Sequence, residues 1–304
     1  MEYRRVRESD WQQIIPLVNE AFKESAPMEK AFPFLFNKSN NTSYVAAEDG
    51  EIVAFIGGIP SIYSDNGQKF SAVSIGSVCT KEGYRGKGIA DKLLKRAILD
   101  YQNANLSFAL ISGDRELYLR NGFVPFGSFK SYDIRDFHKL KIQDEYKYVI
   151  TRHKDDIESL LKIHELYDSK NKKFFLSLNE FKLLMDAKAL IRIGKMEQEI
   201  ILAQENGKPT AFAIIGIRKE NDENVGRVIE CGGTTEGIIY ILKAMGVWRN
   251  IDVMKFVVND KEEYWQAYLK EQDFEVISNQ GTYLPFKDNV DKDAIPYTCN
   301  LSYV

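Results

Sequence analysis

The chain has 304 residues, 44% of them hydrophobic and 28% charged, with a formal net charge of −3. That balance is ordinary for a globular protein, and the length suits two cores of about 150 residues each. A slightly acidic chain offers no bulk field for a polyanion, so neither nucleic acid nor an anionic membrane is an expected partner.

In chain order, Trp11, Ile14, Ile15, Val18 and Phe22 recur at helical spacing after Ser9 and predict a helix over 9–23. A strand is expected at Tyr44–Ala47, then a turn at Glu48-Asp49-Gly50 and the apolar run Ile52 to Ile59. Asp65-Asn66-Gly67 is a second hairpin signal and leads into a strand over Phe70 to Thr80. From Gly86 the period changes to that of a helix carrying Ile89, Ala90, Leu93, Leu94, Ala97, Ile98 and Tyr101 on one face. Leu106–Ser112 reads as a buried strand, and a short helix over Asp114–Asn121 closes at Gly122.

The second half repeats this plan at an offset of about 150 residues. Glu48-Asp49-Gly50 followed by Ala54-Phe55 is matched by Glu205-Asn206-Gly207 followed by Ala211-Phe212. Gly88-Ile89 with Leu93 is matched by Gly237-Ile238 with Leu242, and Tyr118-Leu119-Arg120 with Phe123 by Tyr268-Leu269-Lys270 with Phe274. The expectation is a duplication, with domains at 1–142 and 143–304 divided in the charged stretch Lys139 to Lys147.

Cys79, Cys231 and Cys299, and the histidines His138, His153 and His164, show neither disulfide nor ligand spacing, so no metal is expected. The N-terminal Met1-Glu2-Tyr3-Arg4-Arg5 lacks the apolar core of a signal peptide, and no run approaches the length of about 18 apolar residues of a membrane span. A cytoplasmic location is the expectation.

The chemistry concentrates in Val78-Cys79-Thr80-Lys81-Glu82-Gly83-Tyr84-Arg85-Gly86-Lys87-Gly88-Ile89-Ala90. A strand runs into a basic, glycine-rich loop that opens directly into a helix. First-turn amides of a helix lack intrahelical acceptors, the macrodipole adds positive potential, and Arg85 and Lys87 add charge, which together make a pyrophosphate cradle. A P-loop is rejected, because Lys81 and Gly88 stand where it needs a glycine and a hydroxyl residue. A dinucleotide fingerprint starting at Gly86 is disfavoured by Asp91, whose charge would repel a diphosphate. Arg-x-x-Gly-x-(Gly/Ala) is met by Arg85, Gly88 and Ala90.

On these residues the first 130 or so positions resemble the GNAT superfamily of acetyltransferases. Tyr118 shortly before Gly122-Phe123, in Gly113 to Phe123, is similar to a second stretch of that family. The resemblance implies an α/β (α+β) fold, a mixed and mostly antiparallel central sheet flanked by helices, here present twice in tandem. It implies acetyl-CoA as cosubstrate and a small-molecule or peptide amine as acceptor, attacked directly. Backbone of Val78, Cys79 and Thr80 would take the pantetheine arm, with the N–H of Val78 or Cys79 polarising the acyl carbonyl. Amides of Gly86, Lys87, Gly88, Ile89 and Ala90 would hold the pyrophosphate with Arg85, and Tyr118 would act as general acid. The proline common in the family near Glu82-Gly83 is missing. No carboxylate lies on Ser71 to Thr80, so the base stays open between Glu20, Glu24, a water on Ser74 or Ser77, and the chain's carboxyl terminus.

Other residues carry plainer expectations. Cys79 lacks an activating neighbour and reads as a buried strand residue; His164 reads as packing, and Lys170, Lys172 and Lys173 as a solvated loop. Phe32, Phe34 and Phe36 with Glu24 and Glu29 would suit an amine with an apolar body. In the second half, Cys231-Gly232-Gly233-Thr234-Thr235-Glu236-Gly237 lacks the arginine, and Glu236 replaces Lys87, so this copy is expected not to bind coenzyme A. A homodimer is compatible with the sequence. The competing functions are a non-catalytic acyl-CoA sensor and a nucleotide-binding interaction protein.

Overall fold

A computed structural model describes residues 1–277, 281–297 and 300–301. The chain forms two units. The first holds β1 (Glu2–Arg5), α1 (Trp11–Phe22), α2 (Met28–Ala31), β2 (Tyr44–Glu48), β3 (Glu51–Asp65), β4 (Gln68–Thr80), α3 (Ile89–Asn103), β5 (Phe108–Ile111), α4 (Glu116–Leu119) and β6 (Val124–Pro125). The second holds β7 (Phe129–Ile134), β8 (Tyr148–Arg152), α5 (Ile157–Asp168), β9 (Lys172–Phe174), α6 (Leu178–Ala187), α7 (Ala189–Ile193), β10 (Glu197–Glu205), β11 (Lys208–Glu220), β12 (Glu223–Gly233), α8 (Thr235–Trp248), β13 (Val253–Asn259), α9 (Gln266–Leu269) and β14 (Asp273–Val276). A last strand, β15 (Thr282–Pro285), returns to the first unit.

In the first sheet the order is β1-β2-β3-β4-β5-β15-β6, antiparallel except for the parallel pair β4–β5. One face carries Ala54, Ile56, Val73, Ile75, Ala109 and Ile111, packed against Ile89, Leu93, Leu94, Ala97 and Tyr101 of α3. Five residues of the predicted helical stripe are therefore buried, while Ala90 and Ile98 at its margins are half-buried. Phe55, which alternates with Ala54 and Ile56, meets Trp11 of α1 edge-on at 6.0 Å and stacks on Phe36 at 6.2 Å. Helices thus cover both faces of this sheet.

The second sheet runs β14-β7-β13-β12-β11-β10-β8, with β12–β13 as its parallel pair. Its α8 packs Ile238, Ile239, Leu242 and Met245 on Ala203, Ala211, Ala213 and Ile215. Both units thus share one plan, an antiparallel hairpin, a helix, and a parallel strand beside the second hairpin strand.

The domain boundary differs from the expected 142/143. The units divide between Phe126 and Gly127, because β7 pairs with β13 from Ile134↔Met254 to Phe129↔Asn259 and so belongs to the second sheet. The far C-terminal β15 takes the corresponding place in the first sheet, pairing with β5 from Thr282↔Ile111 to Pro285↔Phe108. Each half lends a strand to the other's sheet. Such pairings close over more than a hundred residues, and strand alternation does not say which sheet a strand will join.

Candidate active site

The central feature is the far end of β4. Its parallel pairing with β5 stops at Ile75↔Ile111, yet β4 runs on to Thr80. Among the described residues, no strand of this unit pairs with Gly76–Thr80 on that side. On the other side, Phe55 pairs with Cys79 and Gly57 with Gly76, so Ser77 and Val78 together oppose the single residue Ile56. This is a bulge, with Ser77 at φ +50°, in the left-handed region. Ser77 is 8% exposed, and its buried hydroxyl has no hydrogen-bond partner among the described residues.

The direction of the strand's polar groups follows from one bond. The Lys81 N–H donates to the Val53 carbonyl at 2.8 Å. Successive residues alternate, so Cys79 also turns its backbone to β3, whereas Val78 and Thr80 turn theirs away from it. A row of main-chain groups is therefore open to an extended ligand able to pair like a strand.

Residues 81–88 connect this edge to α3. Gly86 and Gly88 have φ +76° and +72°, and a Cβ built on either would meet nothing within 4 Å. Gly88 is the N-cap of α3 and has no side chain to cap the first turn. The Arg85 Nε–H donates to the Thr80 carbonyl at 3.1 Å, folding the loop onto the strand. Lys87 lies over the Tyr84 ring at 5.0 Å, and both Arg85 and Lys87 are exposed. Uncapped amides, open space above two glycines and two basic side chains fit a pyrophosphate.

Asp91 sits in the first turn of α3, where a free carboxylate would oppose an anion. It is instead engaged by Lys95 Nζ at 2.9 Å, Arg120 Nε at 3.1 Å and Asn121 Nδ2 at 2.9 Å. Those partners pull its pKa down to about 2, Lys95 foremost, and neutralise its field. The same contacts tie the turn after α4 to α3. Tyr118 of α4 is 5% exposed, packed with Phe123, Ile89, Leu93 and Ile111. Burial raises its phenol above the usual tyrosine value against a small opposing effect of Arg115, so it stays protonated at neutral pH.

The remaining expected residues are placed as follows. Ile89 is buried in the core and Ala90 half-buried, so only their main chain faces the loop. Cys79 is buried, and desolvation pushes its thiol up to about 12, as a strand residue and not a nucleophile. Phe32 and Phe36 are core residues at 5% and 9% exposure, so two of the three phenylalanines expected to greet an amine are packed inside. Glu29 accepts from Asn19 Nδ2 at 3.0 Å. Cys299 and the chain's carboxyl terminus lie outside the described residues. His164 packs edge-on against Phe181 and bonds the Leu176 carbonyl at 2.9 Å. Among the described residues there is no cluster able to hold a metal ion, and no helix is long and apolar enough to cross a membrane.

In the second unit the matching region is built differently. Ala211 opposes Gly233 as Ala54 opposes Thr80, and Thr234 N–H donates to Thr210 O at 2.8 Å as Lys81 does to Val53. Counting back, Cys231 corresponds to Val78 and Glu230 to Ser77. Here β12 passes into α8 through Thr234 alone, so nothing corresponds to residues 81–88. The Thr234 hydroxyl caps the Gly237 N–H at 3.2 Å, and Lys147 pairs with Glu236 at 3.3 Å. The Cys231 N–H donates to the Glu230 carboxylate at 3.1 Å, and Lys170 pairs with that carboxylate at 2.5 Å. The expected solvated lysine loop is thus corrected: Lys170 is committed to a buried acid, Lys173 pairs with Asp168 at 2.8 Å, and Lys172 and Lys173 lie in β9.

Comparison with known proteins agrees with this geometry. Residues 2–126 match the family model described as an acetyltransferase (GNAT) domain. A GCN5-related N-acetyltransferase from Anabaena variabilis is similar over 94% of this chain and 73% of its own, with 14% identity and a TM-score of 0.73. An Enterococcus faecalis protein described as a probable N-acyltransferase has the same coverage and TM-score at 12% identity. The N-myristoyltransferase of Saccharomyces cerevisiae, solved with bound myristoyl-CoA, is similar over 94% of this chain and 82% of its own, at 12% identity and a TM-score of 0.53. A comparison with curated proteins found no match. The solved structures share the fold of both units, and residues 2–126 carry the match to the GNAT acetyltransferase domain.

Proposed function

We propose that the first unit binds acetyl-CoA and transfers its acetyl group to a primary amine of a small molecule or peptide. The observation that carries this reading is the bare edge of β4 from Gly76 to Thr80, running without interruption into the glycine loop and the uncapped start of α3. An acyl-CoA has the matching shape, an amide-bearing arm followed by a pyrophosphate, and supplies the activated acyl group.

The chain's own residues then have distinct work. Main-chain groups of Val78 and Thr80 hold the arm, and the amides of 86–90 with Arg85 and Lys87 hold the phosphates. The Val78 N–H, turned away from β3, polarises the acyl carbonyl in this reading. Tyr118, kept protonated by burial, gives its proton to the departing sulfur as the C–S bond breaks and is restored by the proton that the acylated amine releases. Holding amine and acyl donor together contributes up to about 7–11 kcal/mol toward the barrier without a nucleophilic side chain. The second unit, with its loop absent and its Cys231 N–H already occupied, is assigned no acyl-CoA site.

Calorimetric titration with acetyl-CoA, beside an Arg85→Glu/Gly88→Asp variant, tests the reading. One molecule bound per chain, lost in the variant, is the expected result. Two per chain, or binding indifferent to the double substitution, would move the site elsewhere.

A further inference from the structure

Ser77 carries two local costs at once. Its backbone is left-handed, a conformation disfavoured for residues with a Cβ, and its buried hydroxyl has no partner among the described residues. Glycine would remove both costs. They coincide at the β4 bulge, beside the stretch that β5 leaves unpaired.

The second unit has its bulge one residue earlier, at Ile229, but shows what the position reached by counting back from the strand end can hold. There the amide corresponding to Val78 N–H, that of Cys231, takes a carboxylate oxygen at 3.1 Å, and the residue corresponding to Ser77, Glu230, supplies it. The site beside the strand is thus one that accepts an oxygen carrying negative charge, and in this copy Lys170 balances it. In the first unit the shorter serine brings a hydroxyl donor in place of an acceptor, and the oxygen is left for a ligand to provide.

We infer that the Ser77 hydroxyl is a second donor to the acyl carbonyl oxygen beside the Val78 N–H, making the β4 bulge a two-donor oxyanion site. The inference rests on the acyl-CoA reading above. Two preoriented donors on an oxygen that gains negative charge during acyl transfer act where charge develops. The role also gives a reason for the two costs, since glycine at this position would lose the donor.

The test uses acetyl-CoA labelled with carbon-13 at the acetyl carbonyl, bound to the full chain and to Ser77→Ala and Ser77→Gly variants. Infrared difference spectra report hydrogen bonding to that carbonyl directly, and calorimetry reports affinity. The wild type is expected to lower the carbonyl stretch further than either variant, with acetyl-CoA affinity falling in the variants by up to about tenfold and that of CoA, which has no acyl carbonyl, by less than about threefold. Ser77→Gly also relieves the backbone, so it keeps the test decisive if Ser77→Ala folds poorly. An identical stretch in wild type and Ser77→Gly, both with ligand bound, overturns the assignment and leaves the acyl-CoA reading standing. A wild type that binds no acetyl-CoA overturns both.

Discussion

Arg85 donates its Nε–H to the carbonyl of Thr80 at 3.1 Å, so the basic residue that opens the cradle motif also fastens the loop to the strand it leaves. The rest of its guanidinium is exposed and available to a phosphate. A substitution therefore removes a loop anchor and a charge together. Arg85→Ala is expected to weaken acetyl-CoA binding by about 10–100-fold, the worth of one or two charge-assisted hydrogen bonds. Arg85→Lys should recover only part of the loss, because an ammonium cannot hold the Thr80 carbonyl and a phosphate in one planar fork. Calorimetry on the two variants checks this; full recovery by lysine would mean that only charge matters.

Gly88 gives a second handle on the same loop. A methyl group there meets no protein atom within 4 Å, but the backbone is at φ +72°. Gly88→Ala should thus cost only the left-handed penalty, about 1–2 kcal/mol of stability. The loss of acetyl-CoA affinity should exceed what that destabilisation explains, because the open space is where the phosphate would lie. Denaturant unfolding with and without ligand separates the two effects; equal losses in both would remove the phosphate from this position.

Much of the first unit could be read from residue order, because its signals are local. The Asn66-Gly67 turn, the α3 stripe and the loop between Thr80 and Ile89 each declare themselves within a few residues, and all appear where expected. What could not be read depends on distant partners. Nothing around Phe129 says that β7 will pair with β13, and nothing around Thr282 says that β15 will pair with β5. The bulge at Ser77 was equally hidden, since Ser77 reads as an ordinary strand residue until its register with Ile56 is known. Lys170 looked solvated because its partner, Glu230, is sixty residues away.

The Tyr118 phenol is raised by burial, which fixes the direction of its pH dependence. Its folded pKa lies above its unfolded value near 10. The stability it contributes is therefore fully present below pH 10 and is lost as pH rises through the folded value. Tyr118→Phe should flatten that alkaline loss in unfolding measurements. The same variant should lower acetyl transfer to a screened amine by about 10²–10⁴-fold while leaving acetyl-CoA affinity intact. Turnover retained in the phenylalanine variant would assign the proton to another group.

The ion pair between Lys170 and Glu230 is unequal in its burial, with the lysine side chain 28% exposed and the glutamate 5%. Burial by itself lowers the lysine pKa, but the adjacent carboxylate outweighs it and holds the ammonium above the usual lysine range. Removing either partner should therefore not be equivalent. Lys170→Ala leaves a buried carboxylate whose other partner among the described residues is the Cys231 amide, and should cost about 3 kcal/mol. Glu230→Gln keeps an oxygen for that amide and leaves an ammonium able to reach water, so its cost should be nearer about 1 kcal/mol. Denaturant unfolding of both variants checks the order. Neither should gain a second acetyl-CoA, because β12 enters α8 without a phosphate loop. A stoichiometry of two in Glu230→Gln would show instead that the carboxylate alone had kept the second copy closed.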